Sequence, residues 1–456
     1  MLFQTQLFLL VFFPVTLGLF FLVSARANVR IAVLIAASLV FYGWWDARFV
    51  PLLIGQAVFT WLFAELYFRI GSRALLWLAI AANLAVLALF KYADFIVGNV
   101  EAATGLSLPR STWILPIGIS FFTFELISYL ADQLRGREKR YGFSRFLLFV
   151  LFFPRLIAGP IVRHDEIIGQ FDADPRRPGV SERLGKGFVL LVIGLAKKVL
   201  IADQLAGTAD TFFAAAAIQP QPLFESWIGT LAFTLQLYFD FSAYTDMAMG
   251  MSLMMGFVLP PNFDAPYRST SIRAFWRRWH MTLSRYIRDY LYIPLGGSRN
   301  GVARYVLATM ASMSLCGLWH GAGWTFILWG AMHGAGLITC RVWQGFGLPL
   351  PAPLAWVLTM LFVMAGWVLF RSPDFSTALS VFTGLAGQAG IGSASSASWI
   401  MAAGAAAALL GPTSLRYVHQ YLLVWRSAAI FWAAVFVYCL LAIGGRDPTD
   451  FIYFQF

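Results

Sequence analysis

Apolar runs of about twenty residues recur along the whole sequence, and that recurrence restricts the fold more than any single motif does. A helix rises 1.5 Å per residue, so about 20 such residues match the roughly 30 Å of hydrocarbon in a bilayer. The runs fall at 6–24, 31–49, 51–70, 74–95, 113–131, 187–205, 225–250, 304–319, 324–341, 354–370, 398–412 and 428–444. Composition agrees: 59% of the 456 residues are hydrophobic and 12% charged, whereas soluble domains carry about a quarter charged residues. The expected fold is all-α: a polytopic helical bundle of about 11 to 13 membrane segments, in a single membrane domain over 1–456. The first run, MLFQTQLFLLVFFPVTLGLFFLVSA, has no basic residue ahead of it and is read as a retained helix, not a secretory signal.

Charge sets the expected orientation. The net charge of +11 is carried by arginines beside apolar segments, with no compact basic domain, so a positive-inside bias explains it and nucleic acid is not an expected partner. Arg26 and Arg30 follow an uncharged start, which puts the N-terminus outside. Arg69 and Arg73 then fall inside, as does the cluster Arg135, Arg137, Lys139, Arg140 and Arg145. After the apolar run 146–162, however, Arg163, Arg176, Arg177, Arg183 and Lys186 also require the cytoplasm. That run contains Pro154, Arg155, Gly159 and Pro160, which disfavour a continuous helix, so it is expected to be re-entrant. With that choice the Arg-rich stretch 251–303 lies inside, and 206–222, which lacks Lys and Arg, lies outside with the C-terminus.

Polar groups inside apolar surroundings are the candidates for chemistry, because burying them costs free energy unless they are paired or used. LWHGAGWTFILWGAMHG (318–334) holds His320 and His333. The 304–319 run before His320 gives only about 24 Å of helix, which places His320 within the membrane's thickness. Gly321 and Gly323 after it allow close approach of backbone or substrate. His333 is expected to face elsewhere and to make a structural hydrogen bond. Over 275–291 one helical arc carries Phe275, Trp276, Trp279, Leu283, Tyr286, Ile287, Tyr290 and Leu291, and the other Arg277, Arg278, Arg285 and Arg288. This reads as one interfacial helix with His280 on the border of its faces. Its arginines suit either anionic lipid or a bound phosphate. Glu125, Ser128, Tyr129 and Asp132 share a helical face, and Asp240 with Tyr244 and Ser242 with Asp246 pair by spacing. Such groups serve a lined cavity or interhelical hydrogen bonds. Cys316, Cys340 and Cys439 lack metal-ligand spacing, and no metal or disulfide framework is expected.

Taken together, FWRRWHMTLSRYIRDYLYIPLGGSRNG and LWHGAGWTFILWGAMHG closely resemble the membrane-bound O-acyltransferase family, in its alginate O-acetylation branch. PIGISFFTFELISYLAD, LIAGPIVRHDEI, GLAKKVLIAD, LQLYFDFSAYTDMAMG, LPPNFDAPYRS and FIYFQF extend that resemblance over nearly the whole chain. It implies a bacterial inner-membrane acyltransferase with re-entrant pieces and a tunnel. A cytoplasmic acyl thioester would be the co-substrate, with no bound cofactor. The acceptor would be an extracytoplasmic polysaccharide, reached directly or through a separate extracytoplasmic acetyltransferase partner. The resemblance maps the family's catalytic histidine onto His320 and its second histidine onto His280. Arg277, Arg288, Asp240, Ser242, Asp246 and Trp319 complete the expected substrate-binding set. Peptidoglycan, teichoic acid and lipid are alternative acceptors. A transporter is the rival from another class, although no inverted repeat is visible.

Overall fold

Where apolar residues run unbroken, helix follows, because an isolated backbone must close its own hydrogen bonds when neither water nor a neighbouring strand can serve it. A computed structural model describes residues 1–110, 113–137, 139–299, 301–394, 398–422, 425–445 and 451–455. Asn300 and Phe456, which belong to two of the quoted motifs, lie outside the described residues. Among the described residues the regular structure is entirely helical.

Among the described residues five helices are long and apolar enough to cross a membrane: Ala27–Ile70, Arg73–Lys91, Gly301–His320, Ala352–Arg371 and Arg426–Gly444. The first is 44 residues long, about twice a bilayer's thickness, and a 3-10 turn at Ala47–Phe49 followed by Pro51 divides it where two spans were expected. Other expected spans differ. Trp399–Leu410 has 12 residues, about 18 Å, and is too short to cross. Phe8–Leu22 is also short. Leu223–Met254 is continuous over 32 residues, but Asp240 and Asp246 lie buried within it. The Gly301–His320 helix has 20 residues, not 16, and so reaches about 30 Å. This segment is therefore not too short to cross, contrary to expectation, and His320 is the last residue of a helix of full spanning length.

The chain forms two compact units. Met1–Ile193 and Tyr244–Pro260 build most of the first, and Gly194–Ala243 with Pro261–Cys439 most of the second; residues 440–445 join the first and 451–455 the second.

In the first unit a buried polar cluster ties neighbouring helices together, with Gln56 donating to Asn83 at 3.2 Å and Asn83 to Thr60 at 3.0 Å. The run expected to be re-entrant is broken as its prolines and glycines require. Phe143–Leu151 is followed by a non-helical Phe152, the four-residue helix Phe153–Leu156, and irregular chain up to His164. Its two ends meet: Arg145 pairs with Asp172 at 2.6 Å, and Tyr141 Oη lies 3.0 Å from His164 Nδ1. The segment enters and returns on the same side of its unit. Gly159 permits the reversal, since a Cβ there would stand 2.3 Å from Arg155 Cα. Buried Arg155 pairs with Glu125, and His164 Nε2 lies 3.3 Å from Asp132 Oδ2. The carboxylates of the 125–132 face are thus met by this returning segment.

Candidate active site

The second unit assembles the site from a helical hairpin, a broken amphipathic segment and the chain's last residues. Gly301–His320 and Trp324–Gly345 pack tightly because glycine removes side chains from the contact: a Cβ at Gly317 would stand 2.1 Å from Phe326 O, and one at Gly330 2.1 Å from Met313 O. The turn between them is occupied by protein. A Cβ at Gly321 would strike the Phe326 ring at 2.2 Å, so Gly321 accommodates Phe326.

The segment expected as one interfacial helix is two. Ile272–Trp276 stops, residues 277–280 turn, and Met281–Ile287 begins after His280, whose backbone is left-handed (φ 43°, ψ 53°). A break orphans backbone groups, and the preceding 262–264 stretch satisfies them: Asp264 N–H donates to Arg278 O and Met281 N–H to Asn262 O, both at 2.9 Å. The apolar and basic arcs separate only in part, since Arg278, Arg285, Tyr290 and Leu291 are all half-buried. Phe275, Trp276, Trp279, Leu283, Tyr286 and Ile287 are buried, whereas Arg277 and Arg288 are exposed.

This turn brings His280 to His320, with ring centroids 6.4 Å apart. Both are buried. Trp319 lies beside both rings, 4.9 Å from His320 and 6.3 Å from His280. Trp329, Phe370 and Tyr453 pack round His320 at 5.2, 5.3 and 5.8 Å. Phe241 meets His280 edge-on at 4.7 Å. His280 Nδ1 is 3.1 Å from Asn262 Oδ1. His280 lies outside the candidate spans, and burial pushes its pKa down to about 3, which keeps the imidazole neutral. His333 has the structural role expected of it, accepting from Trp276 Nε1 at 3.2 Å.

A cavity of about 650 Å³ opens among Arg273, Arg277, Arg288 and Arg341 and extends along Tyr305, Thr309, Ser312 and Cys316. At about 100° per residue, His320 falls on the same face of the helix as those four, one turn beyond Cys316. Its size suits a small-molecule or cofactor-sized ligand. Arg277 and Arg288 thus line a real cavity, Arg288 while paired with Asp289 at 2.7 Å. Arg273 and Arg341 join them unanticipated, since only the fold returns the end of the 324–345 helix to this mouth.

The acidic candidates lie elsewhere. Asp240 is held by Lys198 Nζ and by the Ile452 backbone N–H, each at 2.9 Å. Ser242 accepts from Lys197 Nζ at 3.3 Å. Neither lines the cavity. Asp246 is buried in the first unit. Among the described residues no group of three His, Cys, Asp or Glu is placed to hold a metal ion.

The model of the membrane-bound O-acyltransferase family matches residues 66–347. The chain belongs to that family. It is a multi-pass membrane protein and an O-acyltransferase. A probable alginate O-acetylase of Pseudomonas aeruginosa is 42% identical over 84% of this chain and 74% of its own length. A peptidoglycan O-acetyltransferase of Helicobacter pylori is 38% identical over 86% and 81%. A teichoic acid D-alanyltransferase of Bacillus subtilis is 30% identical over 59% and 71%. The matched family region contains His280, His320 and all four arginines of the cavity mouth.

Proposed function

We propose that this chain, acting as one catalytic domain in the bacterial cytoplasmic membrane, transfers acetyl from a cytoplasmic thioester to a hydroxyl of an extracytoplasmic polysaccharide, directly or through a separate acetyltransferase partner. The observation that carries this reading is the His280–His320 pair, 6.4 Å apart, with Cys316, one helical turn before His320, lining an arginine-mouthed cavity that the histidines themselves do not line. Arginines suit the phosphates of a nucleotide-bearing thioester, because a guanidinium offers paired donors to phosphate oxygens. The length beyond them, along Tyr305, Thr309, Ser312 and Cys316, suits the thioester arm.

In the reaction the acceptor oxygen attacks the thioester carbonyl carbon, its proton passes to His320, the C–S bond breaks, and the thiolate leaves with that proton returned to sulfur. A neutral imidazole is suited to the first transfer, and the aromatic shell keeps bulk water from competing as nucleophile. His280 orients substrate beside it. Acetyl is favoured over D-alanyl because the relatives named for O-acetylation are more similar and cover more of the chain. A deletion strain should lose acetyl esters from its surface polymer. Wild-type protein should restore them, and His320→Ala, at equal abundance, should fall by about 10²- to 10⁴-fold. Unchanged acetylation in the deletion strain would refute the proposal; a loss of D-alanyl esters would shift it to the teichoic acid reading.

A further inference from the structure

We infer that Asn262 locks His280 in the tautomer that carries its proton on Nδ1, so that Nε2 is a bare acceptor that binds an O–H or N–H group of a substrate, and that Asn262 is thereby a positioning residue. The inference rests on the acyltransferase reading of this site and selects what His280 does within it.

The Thr282 backbone N–H lies 3.2 Å from Asn262 Oδ1, and a peptide N–H can only donate. The Asn262 amide is therefore oriented with its oxygen toward the turn, and Thr282 Oγ1 donates to the same oxygen at 2.8 Å. An amide oxygen only accepts. His280 Nδ1, 3.1 Å from it, must then carry hydrogen. A neutral imidazole has one N–H, which leaves Nε2 with a lone pair. Burial favours that neutral form.

Nε2 is itself buried and has no hydrogen-bond partner among the described residues. Native proteins rarely leave a buried polar atom unmatched without use. Here the surrounding turn is well satisfied: the 262–264 stretch closes the backbone groups at 278 and 281, and Ser284 N–H donates to His280 O at 2.9 Å. Nε2 is therefore an open acceptor on a ring whose centroid stands 6.4 Å from that of His320. A lone pair repels a developing oxyanion, so His280 does not stabilise the tetrahedral intermediate. It accepts a hydrogen bond instead. Because the reacting hydroxyl gives its only hydrogen to His320, the group bound by His280 is a different one: an amide N–H of the acyl donor, or a second hydroxyl of the acceptor.

Nitrogen-15 spectra of histidine-labelled, detergent-solubilised full chain read the lock without activity. His280→Gln identifies its signals. The expected result is a pyrrole-type Nδ1 and a pyridine-type Nε2 in wild type, and a tautomer mixture in Asn262→Leu; a pyrrole-type Nε2 in wild type overturns the inference. Function is read in membranes supplied with acetyl-CoA and with surface polymer isolated from the deletion strain. The amide of glutamine reaches the Nε2 position and that of asparagine the Nδ1 position. His280→Gln should therefore keep about tenfold more turnover per folded molecule than His280→Asn, the worth of one hydrogen bond. Asn262→Asp, which still accepts from Nδ1–H, should outperform Asn262→Leu. A rise in KM for acetyl-CoA in His280→Asn assigns the donor amide as the bound group, and a rise in KM for polymer assigns the acceptor hydroxyl. Equal turnover in Gln and Asn variants, or wild-type turnover in Asn262→Leu, overturns the proposal. Failure of wild-type membranes to form any acetyl ester would instead fault the acyltransferase reading, leaving the tautomer result standing.

Discussion

His280 has a left-handed backbone, fully buried surroundings and a neutral ring at once, and each property follows from the turn that holds it. A non-glycine residue in this region costs about 1–3 kcal/mol, which the hydrogen bonds from 262–264 and the aromatic packing offset. Neutral burial also has a pH consequence. Between about 3 and the ordinary value of 6.5, the unfolded chain binds a proton at this position that the folded chain does not. Stability from His280 is thus complete above 6.5 and is lost as pH falls, by about 2 kcal/mol at about pH 5. Thermal midpoints in detergent should fall less steeply from pH 7 to pH 5 in His280→Gln than in wild type; equal slopes would show that the ring is not held neutral. The sequence disclosed the histidines, and the family resemblance singled out His280 and His320. What it could not disclose was their meeting, because the left-handed turn depends on Asn262 and Asp264, which come from a separate stretch of chain. Nor did spacing find the partners of Asp240: Lys198 and Ile452 reach it from far along the sequence.

At the scale of elements, helix existence was legible from apolar length, and helix ends were not. Four residues separate the expected 304–319 helix from the observed Gly301–His320, enough to turn a segment too short to cross, with His320 just after it, into one of full spanning length that ends on His320. The returning segment at 143–163 was legible because prolines, glycines and flanking charge pointed the same way. Single cysteines at Ser144 and Ser181, both exposed, should label with an impermeant reagent from the same side of the membrane. Labelling from opposite sides would show a full crossing. The last residues were legible only as a motif. Their physical role is to put Ile452 N–H on Asp240 and the Tyr453 ring on His320 and on Phe241, the latter at 4.5 Å, and no feature of so short and uncharged a stretch announces that.

For the whole molecule, the arginine excess has a local destination. Two of the arginines assigned to the interfacial arc line the cavity mouth, with Arg273 and Arg341 beside them, so the basic face has a concave side as well as one available to lipid. Arg277→Gln with Arg288→Gln should raise KM for acetyl-CoA by about tenfold or more while leaving kcat and membrane insertion near wild type, because two charge-assisted contacts are lost from donor binding. An unchanged KM would return both residues to lipid anchoring. The central claim is that acyl transfer from a cytoplasmic thioester occurs at His320, and inside-out vesicles loaded with surface polymer measure it most directly. With labelled acetyl-CoA added outside, wild-type vesicles should accumulate labelled ester in the enclosed polymer, and vesicles bearing equally abundant, folded His320→Gln should not, because glutamine keeps hydrogen-bonding capacity but takes no proton at neutral pH. Ester formation at the wild-type rate by His320→Gln would contradict the account.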